Sequence, residues 1–198
     1  MAINQSSSNQ TTKKKIAVLI SGTGSNLKAI IDACLNNEIN AEVALVISNN
    51  PDAFGINHAK DNNIPYAIIN HKNFKDRREF EIEIEKQLDQ KDLDLICLAG
   101  FMRILTADIT KKYHGKMINI HPSLLPNFKG ANAIEDAFNA GAVETGCTVH
   151  YVIPEIDSGD IIIQKAIAID KYDDLASLKN KTHQIEHLAY IEAIKKIL

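Results

Sequence analysis

The chain has 198 residues, 45% of them hydrophobic and 24% charged, with a formal net charge of −3. That length suits one domain with a sizeable core, and that balance is ordinary for a soluble globular protein. The acidic total argues against broad nucleic-acid binding, and no apolar run is long enough to span a bilayer.

Residues 1–12 are rich in Gln, Ser, Asn and Thr and lack periodicity, which reads as a disordered tail. Residues 13–198 read as a single domain. Lys13, Lys14 and Lys15 read as solvated charge flanking the first strand rather than as a nucleic-acid patch. The three cysteines, Cys34, Cys97 and Cys147, stand in apolar contexts. They read as reduced and structural, which together with the lack of a signal-peptide pattern points to the cytoplasm.

From Lys15 onward a short apolar run, a turn and an amphipathic stretch repeat. Residues 16–20 form the first expected strand and 27–35 the first helix. Strand 43–48, helix 53–61 and strand 66–70 follow. Residues 73–90 read as a long helix with Phe80, Ile84 and Leu88 on one stripe. Strand 94–99, a short helix over 106–112 and strand 117–121 come next. A helix over 131–140 stops at Gly141. Two further strands cover 147–153 and 161–169, and a closing helix covers 173–198. Apolar strands alternating with helices predict an α/β fold. Its mostly parallel, buried sheet has about seven strands, with helices on both faces and a Rossmann-like N-terminal half. Ligands of such sheets lie outside the carboxyl ends of the strands. Residues 21–26, 100–105 and 119–130 occupy that edge.

The most informative stretch is Ile118-Asn-Ile-His-Pro-Ser-Leu-Leu-Pro-Asn-Phe-Lys-Gly130. Strand side chains alternate, so Asn119 and His121 share a face at the end of an apolar strand. Pro122 keeps His121 extended. A neutral amide donor beside a group that titrates near neutrality can hold an oxyanion and move a proton. Asp157 sits in a loop between two strands, where a lone Asp is usually a turn residue. Beside a histidine, however, a carboxylate favours the imidazolium.

Ser21-Gly-Thr-Gly-Ser-Asn26 joins a strand to a helix and could present free amides to a phosphate. It lacks the third glycine of the dinucleotide fingerprint and the Gly-Lys-Ser/Thr of a Walker loop. Arg77 falls on the apolar stripe of the long helix, as a carboxylate ligand or as a structural ion pair. Arg78 lies on its solvent side. His183-Gln-Ile-Glu-His187 matches H-x-x-E-H, but no further helix follows to supply another zinc ligand. His150 reads as a satisfied core histidine.

Asn119-Ile-His-Pro-Ser-Leu-Leu-Pro126, with Gly130 following, resembles the signature of the folate-dependent formyltransferases. The similarity extends through Ile20 to Leu27, Leu98 to Leu105, Gly146 to His150, and Asp157 with Gly159. It covers the chain from about Lys15 to the C-terminus. The resemblance implies the branch that formylates the amine of glycinamide ribonucleotide, with 10-formyltetrahydrofolate as co-substrate and no metal. It gives Asn119, His121 and Asp157 the catalytic roles. Gly24, Ser25 and Asn26 would hold the phosphate in an N-terminal half ending near residue 100. Glu186 would contact the ribonucleotide, with His183 beside it at a position that varies among relatives. Met102, Arg103, Ile104, Leu105, Ile153, Pro154, Glu155, Ile156 and Asp157 would line the pterin pocket in the C-terminal half, joined by Asn119. Arg77 would face the glutamate tail. Ile134 stands where relatives often carry His. The two small molecules are the expected partners of a monomer or weak homodimer, with neither nucleic acid nor membrane. A formyltetrahydrofolate hydrolase or another folate-dependent formyltransferase is the alternative.

Overall fold

A computed structural model describes residues 12–198. The expected tail, residues 1–12, falls almost wholly on residues 1–11 and so outside the described residues. Seven strands run in the order β3-β2-β1-β4-β5-β6-β7. They are β1 (Lys14–Ile20), β2 (Ala41–Ser48), β3 (Tyr66–Ile68), β4 (Leu95–Leu98), β5 (Met117–His121), β6 (Glu144–Tyr151) and β7 (Ile161–Ala168). The first five pair in parallel, while β6 runs antiparallel to β5 and β7 antiparallel to β6. The helices are α1 (Ser25–Leu35), α2 (Gly55–Asp61), α3 (Arg77–Asp89), α4 (Ala107–Lys112), α5 (Ala133–Asn139) and α6 (Leu175–Ile197).

The sheet is buried on both faces, so its strands are apolar throughout rather than alternating. On one face Ile16, Val18, Ile118 and Ile120 pack with Leu27 and Ile30 of α1 and with Tyr190 and Ile194 of α6. On the other, Ala17, Leu19, Ile96 and Met117 pack with Phe80, Ile84 and Leu88 of α3 and Ile109 of α4. Tyr190 is fully buried, and its hydroxyl donates to the carbonyl of Leu98 at 3.0 Å. That bond ties α6 to the end of β4, beside the ligand edge of the sheet.

The long central helix begins later than the expected 73–90. Residues 71–73 form a 3-10 turn, and Asp76 caps α3 by accepting the Glu79 amide at 2.9 Å. Residues 77–79 are exposed, and Phe80 is the first buried residue of the helix. Arg77 therefore lies in solvent ahead of the packed stripe, not on a buried face. Arg78 pairs with Glu85 at 2.6 Å on the surface, as its side of the helix predicts. β6 starts three residues earlier than expected, at Glu144, and forms the centre of the antiparallel ribbon. All three cysteines are free and buried. Burial pushes the Cys34 thiol up to about 11 and the Cys147 thiol up to about 12, so neither is a ready nucleophile.

Candidate active site

β5 sits at the junction between the parallel sheet and the antiparallel ribbon. Ile118 and Ile120 turn toward the α6 face, so Asn119 and His121 turn toward the α3 face, two residues apart as alternation requires. They emerge where β5 ends, and both line a cavity of about 410 Å³. Met102, Arg103, Ile104, Leu105, Ile153, Pro154, Glu155, Ile156 and Asp157 line the same cavity. Arg77 does not.

Asp157 closes the group. It adopts φ 48°, a left-handed conformation that Asp tolerates better than most residues. Its side chain is 10% exposed. Its Oδ2 lies 3.5 Å from His121 Nδ1 and accepts the Gly130 amide at 3.0 Å. Its Oδ1 lies 3.7 Å from His150 Nε2. Burial works against its charge. The His150 contact, the Gly130 amide and the pull of His121 outweigh burial, and the carboxyl sits below the usual range. His121 Nε2 donates to the carbonyl of Phe128 at 2.8 Å, so both ring nitrogens face acceptor oxygens.

From its strand pattern alone His150 reads as a satisfied core histidine. It is buried, at 3% exposure, yet it also lines this cavity. Antiparallel pairing sets it directly opposite Asn119 and on the same face. Its Nδ1 donates to the carbonyl of Tyr151 at 2.9 Å, so in the uncharged tautomer Nε2 is an acceptor, and it donates toward Asp157 only when the ring is protonated. Asn119 Nδ2 meets that nitrogen at 3.3 Å. The pairing fixes which end of the Asn119 amide is NH₂ and leaves its second proton free. The signal that would have found His150 is the β5–β6 register, which no local pattern contains.

A second cavity of about 350 Å³ lies on the α6 side of the same strand end. Gly24, Ser25, Asn26, His183 and Glu186 all line it. Gly24 needs its missing side chain. It caps α1 at φ 74°, and a Cβ there would stand 2.6 Å from the Gly55 Cα. As at any helix start, the first amides of α1 have no intrahelical partners. Asn26 Nδ2 donates to Glu186 Oε2 at 2.9 Å across the cavity floor. Burial raises the Glu186 carboxyl above its ordinary range, against the lowering effects of that bond and of His183. His183 and His187 of the H-x-x-E-H match do not build a metal site. Among the described residues no group of three or more His, Cys, Asp or Glu could hold a metal ion.

Gly100, Met102, Ile120, Pro122 and Ala131 belong to the walls of both cavities. The geometry is that of a two-substrate transfer site. One lobe carries free helix amides, the other is largely apolar, and an amide–imidazole–carboxylate group stands where they meet.

Comparison with known proteins agrees. The formyl transferase family model matches residues 14–194, and the chain belongs to that family. It is 45% identical to a phosphoribosylglycinamide formyltransferase of Haemophilus influenzae, over 92% of this chain and 86% of the relative. It is also 45% identical to the human trifunctional purine biosynthetic protein adenosine-3, over 93% of this chain. The chain spans only 18% of that relative's length. A solved phosphoribosylglycinamide formyltransferase from Bacillus halodurans superposes with a TM-score of 0.91 at 38% identity. That superposition covers 93% of this chain and 95% of the other. The α/β sheet with its antiparallel edge is thus the fold of such enzymes.

Proposed function

We propose that the chain transfers the formyl group of 10-formyltetrahydrofolate to the amine of glycinamide ribonucleotide. The observation that carries this is the shared wall. Two cavities of different character meet at the end of β5, beside Asn119, His121 and Asp157. The relatives named above support the choice of substrates.

In this reading the N-terminal half takes the phosphate on the amides of Gly24, Ser25 and Asn26, and Glu186 with His183 takes the ribose side. The C-terminal half takes the pterin between residues 102–105 and 153–157. The substrate amine attacks the formyl carbon, and a carbon–nitrogen bond forms as the formyl oxygen becomes an oxyanion. Asn119 donates its free amide proton to that oxygen, and His121 adds a second donor when its Nε2–H leaves the Phe128 carbonyl for the substrate. His121 relays a proton from the attacking nitrogen toward N10 of the folate. The carbon–N10 bond then breaks and tetrahydrofolate leaves. Asp157 orients the His121 ring and balances the charge it carries in transit. No step calls for a metal. Arg77, exposed in solvent, is free to meet the folate glutamate tail outside the cavity.

The chain has no helix long and apolar enough to cross a membrane among its described residues. A cytoplasmic enzyme acting as a monomer or weak homodimer fits this reading. The deciding measurement is tetrahydrofolate release from 10-formyltetrahydrofolate with and without glycinamide ribonucleotide. Release that depends on the ribonucleotide, with formylglycinamide ribonucleotide as product, is expected. Equal release in its absence would make the protein a hydrolase.

A further inference from the structure

The loop after β4, residues 99–106, carries Met102, which lines both cavities. Two side chains from outside this loop anchor it. At the far end Glu81 of α3, fully buried, accepts the Thr106 amide at 2.7 Å and the Thr106 hydroxyl as well. At the near end the amide of Met102 donates to the hydroxyl of Ser21 at 2.7 Å. Ser21 is the first residue of the glycine loop that lines the α6-side cavity.

The Ser21 hydroxyl has one proton and spends it on Asn49 Oδ1. Toward Met102 it can therefore act only as acceptor. Asn49 is itself held: it is buried, and its Nδ2 reaches His71 Nδ1 at 3.2 Å. The Ser21 carbonyl accepts from Asn50 Nδ2 at 3.1 Å. The hydroxyl is thus aimed by the ends of β2 and β3 and points at one amide of the neighbouring cavity's wall.

The geometry points to Ser21 as a positioning residue that couples the two substrate sites, resting on the functional reading above. Residues 21–26 are one continuous loop, so a ligand drawn onto the amides of residues 24–26 also sets the position of Ser21, and the Ser21 hydroxyl carries that position to the Met102 amide on the folate side. Each ligand thus favours the loop arrangement that the other uses, and binding is positively cooperative. Linkage makes the effect reciprocal. Glu81 holds the same loop without touching the glycine loop, so it serves the folate side alone.

The test is a binding cycle by calorimetry with two ligands that cannot react together, tetrahydrofolate and glycinamide ribonucleotide. In the wild-type protein the ribonucleotide should tighten tetrahydrofolate binding by about fivefold or more, with the same factor in reverse. Ser21→Ala should bring that factor to one, and Ser21→Thr, which keeps the hydroxyl, should restore it. Ser21 is half-buried, and the Ala change removes a single oxygen. Glu81→Gln should weaken tetrahydrofolate binding equally with and without the ribonucleotide, leaving the factor intact. A wild-type factor of one, or an unchanged factor in Ser21→Ala, overturns the coupling while the substrate assignment stands. Failure of the wild-type protein to bind either ligand overturns the assignment and the coupling with it.

Discussion

Asn119 Nδ2 lies 3.3 Å from His150 Nε2, and the His150 ring is fixed from behind by the Tyr151 carbonyl. In the proposed mechanism the oxyanion donor is therefore itself aimed by a hydrogen-bond acceptor one strand away. His150→Phe removes that acceptor and lets the amide flip. A neutral hydrogen bond is worth about 1 kcal/mol net, or about fivefold in kcat. His150→Gln keeps an acceptor and should recover most of the loss. In an Asn119→Ala background the part of that loss which runs through the Asn119 amide should vanish, leaving only what His150 does through Asp157. Additive losses in steady-state kinetics would place His150 in an independent role.

Asn119→Ala removes the donor itself. Loss of one oxyanion donor in such a site costs about 10²–10³ in kcat. Asn119 is half-buried at a strand end, so melting should show a folded protein. Normal turnover by that folded variant would count against the transfer mechanism.

Asp157 sets a pH signature. Its folded carboxyl lies below the ordinary range, so it contributes stability above its unfolded pKa, and that contribution fades as pH falls through the folded value. The melting temperature of Asp157→Asn should fall short of wild type at neutral pH, with the gap closing below about pH 4. Activity should drop by at least about 10² at every pH between 5 and 8, since the carboxylate remains ionised across that window. Activity of Asp157→Asn near the wild-type level would show that an uncharged side chain serves equally well at this position.

Much of this arrangement was legible in the sequence. The period of two placed Asn119 and His121 together, and the apolar runs gave seven strands with a parallel core. Every expected residue of the ribonucleotide set lines one cavity, and every folate residue except Arg77 lines the other. What stayed hidden is long-range. The His150 position depends on antiparallel register across β5 and β6, which the residues on either strand do not encode singly. Glu81, which no local pattern singles out, is fully buried and satisfied by Thr106, 25 residues away. Arg77 reads as part of the packed stripe, yet it is exposed because Asp76 caps the helix late and leaves its first turn beyond the core.

Glu186 exposes a conflict between stability and function. Burial raises its carboxyl, so its stabilising share is complete below the unfolded pKa and is lost as pH climbs through the folded value. Once ionised, the group is held inside the α6-side cavity with Asn26 as its close donor. Asn26 Oδ1 beside it is buried with no partner. Glu186→Gln keeps an oxygen for Asn26 Nδ2 and removes the charge. Its melting temperature should exceed wild type at pH 8, and the two should converge near pH 4. The same change should raise KM for glycinamide ribonucleotide by about tenfold, the loss of one charge-assisted bond, and leave the folate KM untouched. A variant that is less stable than wild type at pH 8 would mean that the Asn26 bond outweighs the cost of burial. A variant with unchanged KM would remove Glu186 from the acceptor site.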